Sequence, residues 1–172
     1  MTICIQNREK LFWKNEIYRA DTGVRPYKNS ENLNEIGKMV LKIWNEIPNK
    51  YFGIEIDEYI IMPDHIHGIL IQKGRTRGSA PTIKNGNVGV DPCVDPDRKN
   101  KLGMIIKNFK TLTTKIFINN VKENGWPRFD KRLWQRDFYE RIIRNEKEYL
   151  RIKEYIRNNP KYIGGLVDLR EE

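Results

Sequence analysis

The chain has 172 residues and a formal net charge of +9, from 32 Lys and Arg against 23 Asp and Glu. Its length suits a single domain over residues 1–172, and 38% hydrophobic residues exclude a chain too polar to fold. The positive charge favours a polyanionic partner such as nucleic acid, and no apolar stretch approaches the roughly 20 residues of a membrane span, so we expect a cytoplasmic protein without a membrane partner.

The first quarter of the chain predicts a strand and a helix. Residues 1–6 are apolar and β-branched, as expected of a strand, and an irregular polar stretch follows to about residue 32. Residues 33–47 repeat apolar side chains at the three-and-four spacing of an amphipathic helix. Pro48 ends that helix.

A hairpin of two strands is the best-patterned part of the chain. Residues 51–62 predict a central strand, residues 65–72 predict the next one, and Pro63 with Asp64 forms the tight turn between them. Residues 73–100 collect Gly, Pro, Asn and Asp and predict a long loop or insertion. The two cysteines, Cys4 and Cys93, lack the spacing of a metal or redox site, so we expect both to be reduced and incidental.

The last third of the chain predicts two helices with a strand between them. Residues 101–123 form a basic amphipathic helix, and the aromatic and β-branched residues 133–144 indicate a fourth strand or its approach. Asn145 is a suitable N-cap for a final helix that runs to about Asn159. The resulting order predicts an α+β fold, a ferredoxin-like βαββαβ sandwich with an antiparallel sheet and an added C-terminal helix.

Both histidines of the chain, His65 and His67, stand two residues apart on a predicted strand. Alternate side chains of a strand point to the same face, so both imidazoles project together while Ile66 points away. Such a pair can simply satisfy local hydrogen bonds. Its place on the sheet, directly after a buried strand and a tight turn, favours instead a bidentate site for Mg²⁺ or Mn²⁺, completed by oxygen ligands.

Three segments resemble one family. YIIMPDHIHGILI (residues 59–71) resembles the His-hydrophobic-His, or HUH, segment of REP-associated tyrosine transposases and related single-tyrosine insertion-sequence transposases. TICIQNRE (2–9) resembles their first strand, and residues 133–160 resemble their closing strand and catalytic helix ending in Asn-Pro. The resemblance implies an enzyme that cleaves and rejoins single-stranded DNA at imperfect hairpins through a 5′-phosphotyrosine intermediate.

The resemblance also implies roles for four residues. His65, His67 and Asn159 would hold Mg²⁺ or Mn²⁺, and Tyr155 would attack the scissile phosphate. Tyr155 and Asn159 are four residues apart, which puts both side chains on one face of a helix.

Two neighbours compete for these roles. Tyr149 is on the same helix, but the residue four positions on is Lys153, a poor metal ligand. Asn158 is a possible substitute for Asn159, although it lies about 100° round the helix from it.

Basic residues suggest where DNA binds. Lys110 corresponds to a lysine common in this family's helix, and Lys107 lies on the same basic helix. Arg136 lies within an aromatic run, 134–139, on which bases could stack, and Arg141 follows it. The alternative is that the lysines only solvate an exposed face and that the aromatic rings belong to the core.

Two other functions fit the same pattern. A catalytically silent hairpin DNA- or RNA-binding protein of this fold predicts binding without metal or covalent adduct, and the retained His65, His67, Tyr155 and Asn159 speak against it. A HUH endonuclease of replication initiation would use the same chemistry at an origin, and the Asn-Pro ending favours the transposase. Relatives act as monomers or as homodimers that swap the catalytic helix, and both states are open here.

Overall fold

A three-stranded antiparallel sheet, in the order β1-β3-β2, organises the α+β fold. The computed structural model describes residues 1–14, 32–73 and 101–159. None of the helices in these ranges is long and apolar enough to cross a membrane. The elements are β1 (Thr2–Cys4), α1 (Glu35–Asn45), the single turn α2 (Ile47–Lys50), β2 (Ile54–Ile61), β3 (His65–Gln72), α3 (Lys101–Glu123) and α4 (Glu146–Asn158).

The predicted elements other than the fourth strand are confirmed with small changes at their ends. Strand β3 and helix α3 have the predicted bounds. Helix α1 begins at Glu35 because the Asn34 side chain caps it, accepting a hydrogen bond from the backbone N–H of Gly37 at 2.9 Å. The predicted cap at Asn145 is confirmed, since its side chain accepts from the N–H of Glu148 at 2.8 Å.

Parts of the sequence-based prediction lie outside the described residues. These are most of the irregular stretch before residue 32, the loop from residue 74 to 100 with Cys93, and the chain after Asn159.

The predicted fourth strand, residues 133–144, is reduced to two isolated bridges beside β1. Ile5 pairs with Trp134 and Thr2 pairs with Tyr139, both antiparallel. Between these bridges the chain advances five residues while β1 advances only three. The excess forms a bulge at residues 135–138, and this bulge explains why the strand is interrupted. Its position next to β1 gives the spatial order expected of the fourth ferredoxin-like strand.

Alternate residues of β3 face different helices. The ring of Trp44 on α1 lies against Gly68 and packs edge-on against Phe109 of α3, with ring centroids 5.5 Å apart. On the other face, the ring of His67 meets that of Tyr155 on α4. The main core therefore lies between the sheet and helices α1 and α3, whereas α4 and the histidines occupy the opposite face.

We predict that Gly68→Ala destabilises the protein by about 1–3 kcal/mol, because the new Cβ overpacks the core. A Cβ at this position would lie 2.6 Å from Cζ2 of Trp44. Urea denaturation measures the free energy of unfolding.

Gly103→Ala is the matched control. A Cβ at Gly103, on α3, meets no atom within 4 Å among the described residues. Alanine should raise stability there by about 0.5–1 kcal/mol, since it restricts the unfolded chain and favours helix. Equal losses in both variants would contradict the packing argument.

Candidate active site

The two histidines face one another across a short gap. The Nε2 atoms of His65 and His67 are 3.0 Å apart, and their rings are nearly perpendicular, with centroids 4.6 Å apart. Both side chains are partly buried. The strand alternation predicted from the sequence therefore brings the two imidazoles together at one point.

The Nδ1 atom of each histidine is held by a polar partner. Nδ1 of His65 is 2.5 Å from Oδ1 of Asp64, and Nδ1 of His67 is 2.7 Å from the hydroxyl of Thr2. Thr2 reaches His67 because β1 pairs antiparallel with β3 in a register that places these two residues opposite each other. Partners of this kind fix the orientation of each ring and leave both Nε2 atoms for other chemistry.

The protonation state of His67 follows from its surroundings. Burial, followed by the neighbouring charge of His65, lowers the pKa of His67 from 6.5 to about 3, so His67 is neutral near pH 7. An ionised Asp64 only accepts hydrogen bonds, so Nδ1 of His65 is the donor in their contact. A proton on Nε2 of His67 can bridge the gap. The hydroxyl of Thr2 both donates and accepts, so it also allows the other tautomer of His67, in which Nδ1 carries the proton and Nε2 a lone pair.

The donor arrangement fits a divalent cation. Two nitrogen ligands about 2.1 Å from one ion and at a right angle to each other are about 3.0 Å apart, which is the octahedral geometry that Mg²⁺ requires. The Nε2 atoms have this separation. Within the described ranges no three His, Cys, Asp or Glu side chains cluster as a metal site, so a further ligand from these ranges would be a different donor, such as a carboxamide.

Helix α4 brings Tyr155 to the histidines. The ring of Tyr155 packs edge-on against His67 with centroids 5.5 Å apart, and 37% of the tyrosine is exposed. Asn159 is the C-cap of α4 and is 8% exposed, one turn beyond Tyr155. Ile156 between them is buried. The end of α4 thus contacts the histidine site with one side and remains open to solvent with the other.

The competing tyrosine has a different environment. The hydroxyl of Tyr149 donates to Oδ2 of Asp57 at 2.6 Å and accepts from Nζ of Lys153 at 2.9 Å. Nζ of Lys153 also donates to Oδ1 of Asp57 at 2.9 Å. Tyr149 therefore belongs to an anchoring cluster, which consists of Asp57, Tyr149 and Lys153, whereas Tyr155 is the helix tyrosine that contacts a histidine.

A bulge in β2 directs two successive carboxylates at α4. Ile56 pairs with Leu70 and Tyr59 with Gly68, so β2 contains one extra residue between these pairs. Successive side chains of a regular strand point to opposite faces, and a bulge removes this constraint. Asp57 consequently joins the anchoring cluster, while Glu58 accepts from Nε of Arg157 on α4 at 2.7 Å.

Lys110 contacts the protein's own backbone. Its Nζ donates to the carbonyls of Gln135, Arg136 and Asp137 at 2.9, 3.2 and 3.1 Å and lies 5.7 Å from the ring centroid of Phe138. Burial lowers the pKa of Lys110. Its ammonium thus satisfies the carbonyls that the bulge beside β1 leaves unpaired, and its contact with DNA stays a prediction.

The other basic residues predicted to bind DNA are on the surface. Lys107 and Arg136 are exposed, and Arg141 pairs through Nε with the carboxylate of Glu148 at 2.6 Å. In the aromatic run, Trp134 is a core residue with 4% exposure, but Tyr139 is 73% exposed. The aromatic run therefore divides between core and surface.

Sequence reasoning missed several residues of the site. Asp64 directly precedes the first histidine, and this adjacency was a usable signal. Thr2, Asp57 and Glu58 are distant in sequence from the residues that they contact, and no periodicity of their own marks them. Arg8 was also missed, although its Nε is 3.4 Å from Oδ2 of Asp64.

Comparisons with known proteins give one relative of high coverage. An uncharacterized protein of Haemophilus influenzae is 32% identical over 165 residues, which cover 93% of this chain and 78% of the relative. A solved structure of a REP-associated tyrosine transposase bound to a REP hairpin is 19% identical, with a TM-score of 0.48, and the match covers 96% of this chain and 67% of that one. No protein-family model matches the chain.

We predict that the anchoring of α4 weakens in acid. Burial opposes the charge of Asp57, but hydrogen bonds from Tyr149 and Lys153 hold its pKa below the ordinary value of 3.8. A carboxyl whose folded-state pKa is depressed stabilises the protein above its unfolded-state pKa, and this contribution disappears as the pH falls through the folded-state value. Asp57→Asn should therefore be less stable than wild type at pH 7, with a difference that narrows below pH 3.8.

Urea denaturation at a series of pH values measures this difference. Glu55→Gln is a matched control, because Glu55 is on the same strand but pairs with Lys73 at the surface, with 48% of its side chain exposed. The control should change stability little at any pH. A loss in Asp57→Asn that does not vary with pH would contradict the assignment.

Proposed function

The chain belongs to the same family as the uncharacterized Haemophilus influenzae protein, and we propose that it is a metal-dependent HUH transposase or endonuclease of single-stranded DNA. In this proposal the enzyme cleaves and rejoins DNA at hairpin-associated sites through a 5′-phosphotyrosine intermediate. His65, His67 and Asn159 hold Mg²⁺ or Mn²⁺, and Tyr155 is the nucleophile.

One observation carries the proposal. Two imidazoles with fixed Nδ1 atoms have their Nε2 atoms 3.0 Å apart, the separation of two adjacent nitrogen ligands of an octahedral ion, and a tyrosine that is 37% exposed packs its ring against one of them. The sequence resemblance at residues 59–71 and 133–160 supports the same assignment.

The proposed reaction is a transesterification that conserves bond energy. The phenolic oxygen of Tyr155 bonds to the scissile phosphorus, and the bond from phosphorus to the 3′ oxygen of the preceding nucleotide breaks. The proton lost by the phenol is balanced by the proton gained by the leaving 3′ hydroxyl. Attack by another 3′ hydroxyl reverses these changes and rejoins a strand, so no nucleotide cofactor is required.

The residues of the chain divide the remaining work. A bound divalent ion would polarise a phosphate oxygen and stabilise the charge of the transition state. Asp64 and Thr2 keep the imidazoles oriented, and the anchoring cluster holds α4 so that Tyr155 stays beside His67. The 37% exposure of Tyr155 leaves room for a phosphodiester to reach the phenol.

Single-stranded DNA that folds into imperfect hairpins is the proposed partner. The net charge of +9 supports attraction of a polyanion, and exposed Lys107, Arg136 and Tyr139 are available for phosphate contact and base stacking. Lys110 and Arg141 could also contact DNA, if a phosphate competes with the partners that they have in the free protein.

We predict a metal-dependent covalent adduct that requires Tyr155. The protein is incubated with labelled hairpin-forming single-stranded DNA from the flanks of its own gene, with Mn²⁺, Mg²⁺ or EDTA, and the products are separated in SDS. Wild type should give an SDS-resistant protein–DNA band with either metal, and Tyr155→Phe should give none, since it lacks the attacking oxygen.

Tyr149→Phe is the control for this experiment. It removes a hydroxyl from the same helix and should retain the adduct, because Lys153 still pairs with Asp57 and holds α4, while losing about 1 kcal/mol of stability with its hydrogen bonds. Loss of the adduct in Tyr149→Phe alone would transfer the nucleophile to Tyr149. Tight binding to several flanking hairpins without any adduct would favour the catalytically silent binding protein.

We predict that the histidine pair binds Mn²⁺ and that its outer partners tune the affinity. His65→Ala or His67→Ala should abolish binding measured by calorimetry, and Thr2→Val should weaken it by about tenfold to hundredfold, as outer-shell substitutions do. Thr111→Val is the matched control. It removes an exposed hydroxyl that donates to a backbone carbonyl of α3, and the variant should bind Mn²⁺ normally. Unchanged affinity in both histidine variants would exclude this metal site.

A further inference from the structure

Arg8 lies beside the histidine site although no motif pointed to it. It ends a 3-10 turn, Gln6–Arg8, that follows β1. Its Nε is 3.4 Å from Oδ2 of Asp64, and its Nη1 donates to Sγ of Cys4 at 3.2 Å. The other oxygen of Asp64 holds Nδ1 of His65. A single carboxylate therefore separates the guanidinium from the histidine pair.

The backbone that carries Arg8 is in an unfavourable conformation. Asn7 has φ 57° and Arg8 has φ 56°, both in the left-handed region. Asparagine tolerates this region, but arginine adopts it rarely. The turn is held by hydrogen bonds from the N–H of Gln6 to the carbonyl of Leu133, at 2.9 Å, and from the N–H of Arg8 to the carbonyl of Ile5, at 3.1 Å. Strain that the surrounding structure maintains in this way is a reason to look for a function of the residue.

Neutralising Asp64 does not account for an arginine at this position. The side chain of Arg8 is 52% exposed while that of Asp64 is 20% exposed, so the guanidinium extends past the carboxylate into solvent. A guanidinium presents five N–H donors in a planar fork, which matches the oxygens of a phosphate. One edge of Arg8 thus meets Asp64 and Cys4, and the exposed remainder is available beside the histidines.

Two of the basic residues that the sequence predicts to bind DNA contact other groups of the protein. The ammonium of Lys110 meets three backbone carbonyls, and Arg141 pairs with Glu148. Arg8 is instead linked to the histidines through Asp64. A cleft of about 460 Å³ lies next to the Arg8 turn. It is lined by Gln6, Asn7, Asp130, Lys131 and Arg132.

We propose that Arg8 binds a phosphate of the DNA strand next to the histidine pair and is a substrate-binding residue. This inference rests on the proposed function, because it places the DNA strand at the histidines. The inference adds Arg8 to the proposed DNA-binding residues, although no sequence pattern indicates it.

The test is a double-mutant cycle between Arg8 and individual phosphates. Binding of the hairpin-forming oligonucleotides described above is measured in EDTA, so that no chemistry occurs, with a neutral methylphosphonate scanned through the phosphates that flank the hairpin. In wild type, the methylphosphonate at the contacted phosphate should weaken binding by about tenfold or more. In Arg8→Gln, the same replacement should have little further effect, and the slope of log Kd against log salt should fall by about 0.7, the value for one phosphate on a single strand.

Two further variants complete the test. Arg8→Lys keeps the positive charge but lacks the planar donor fork of the guanidinium, so it should recover part of the coupling. If Arg8→Gln fails to fold, Arg8→Lys replaces it in the double-mutant cycle. Lys42→Gln removes an exposed cation from α1, on the opposite side of the sheet, and should leave the methylphosphonate profile of wild type unchanged. If the effects of Arg8→Gln and of the methylphosphonate on binding add at every phosphate, the proposal is overturned and Arg8 is only a partner of Asp64.

The cycle separates this inference from the proposed function. Coupling at one phosphate without any covalent adduct would overturn the proposed reaction and retain the Arg8 contact. An adduct without coupling would overturn the Arg8 contact alone. Failure of wild type to bind any of the oligonucleotides would overturn both.

Discussion

Helix α4 is attached to the sheet by charged groups as well as by the buried Ile156, and the meeting of Tyr155 with His67 depends on this attachment. Asp57 and Glu58 are adjacent in the chain, yet both reach α4 because the bulge in β2 directs them to the same side. In a regular strand one of the two carboxylates would point to the opposite face. A local irregularity of one strand thus determines where a residue almost 100 positions later can act.

The two faces of β3 obey different physical requirements. The face toward α1 is apolar and tightly packed, and Gly68 is present because the ring of Trp44 occupies the space of a side chain. The face toward α4 carries polar groups that burial would penalise if they lacked partners. Asp64 and Thr2 supply those partners to His65 and His67. The alternation of a strand allows a packed core and a polar site within four consecutive residues.

The excess of positive charge does not by itself identify the residues that bind a polyanion. The ammonium of Lys110 donates to backbone carbonyls of a bulge within the fold, and Arg141 is paired with Glu148. Arg8 combines a contact at the histidine site with substantial exposure. Position relative to other polar groups, which composition does not record, separates a cation that supports the backbone from one that can meet a phosphate.

The sequence by itself determined the elements and the pairing of the histidines. The spacing of apolar residues and the cap at Asn145 are local signals, and the structure confirms the helices and the first three strands that the sequence predicts. The two-residue period of a strand placed His65 and His67 on one face, because this relation depends only on their spacing in the sequence. The resemblance of residues 133–160 to a catalytic helix then selected Tyr155 over Tyr149.

Only the tertiary structure decided which distant groups complete the site. Thr2 meets His67 through the register of β1 with β3, and Asp57 captures Tyr149 across 92 positions of the chain. The interruption of the fourth strand and the use of Lys110 to fill it also depend on contacts between separate segments. Contacts of this kind leave no periodic trace in either segment, because each partner is selected by geometry that exists only after the chain has folded.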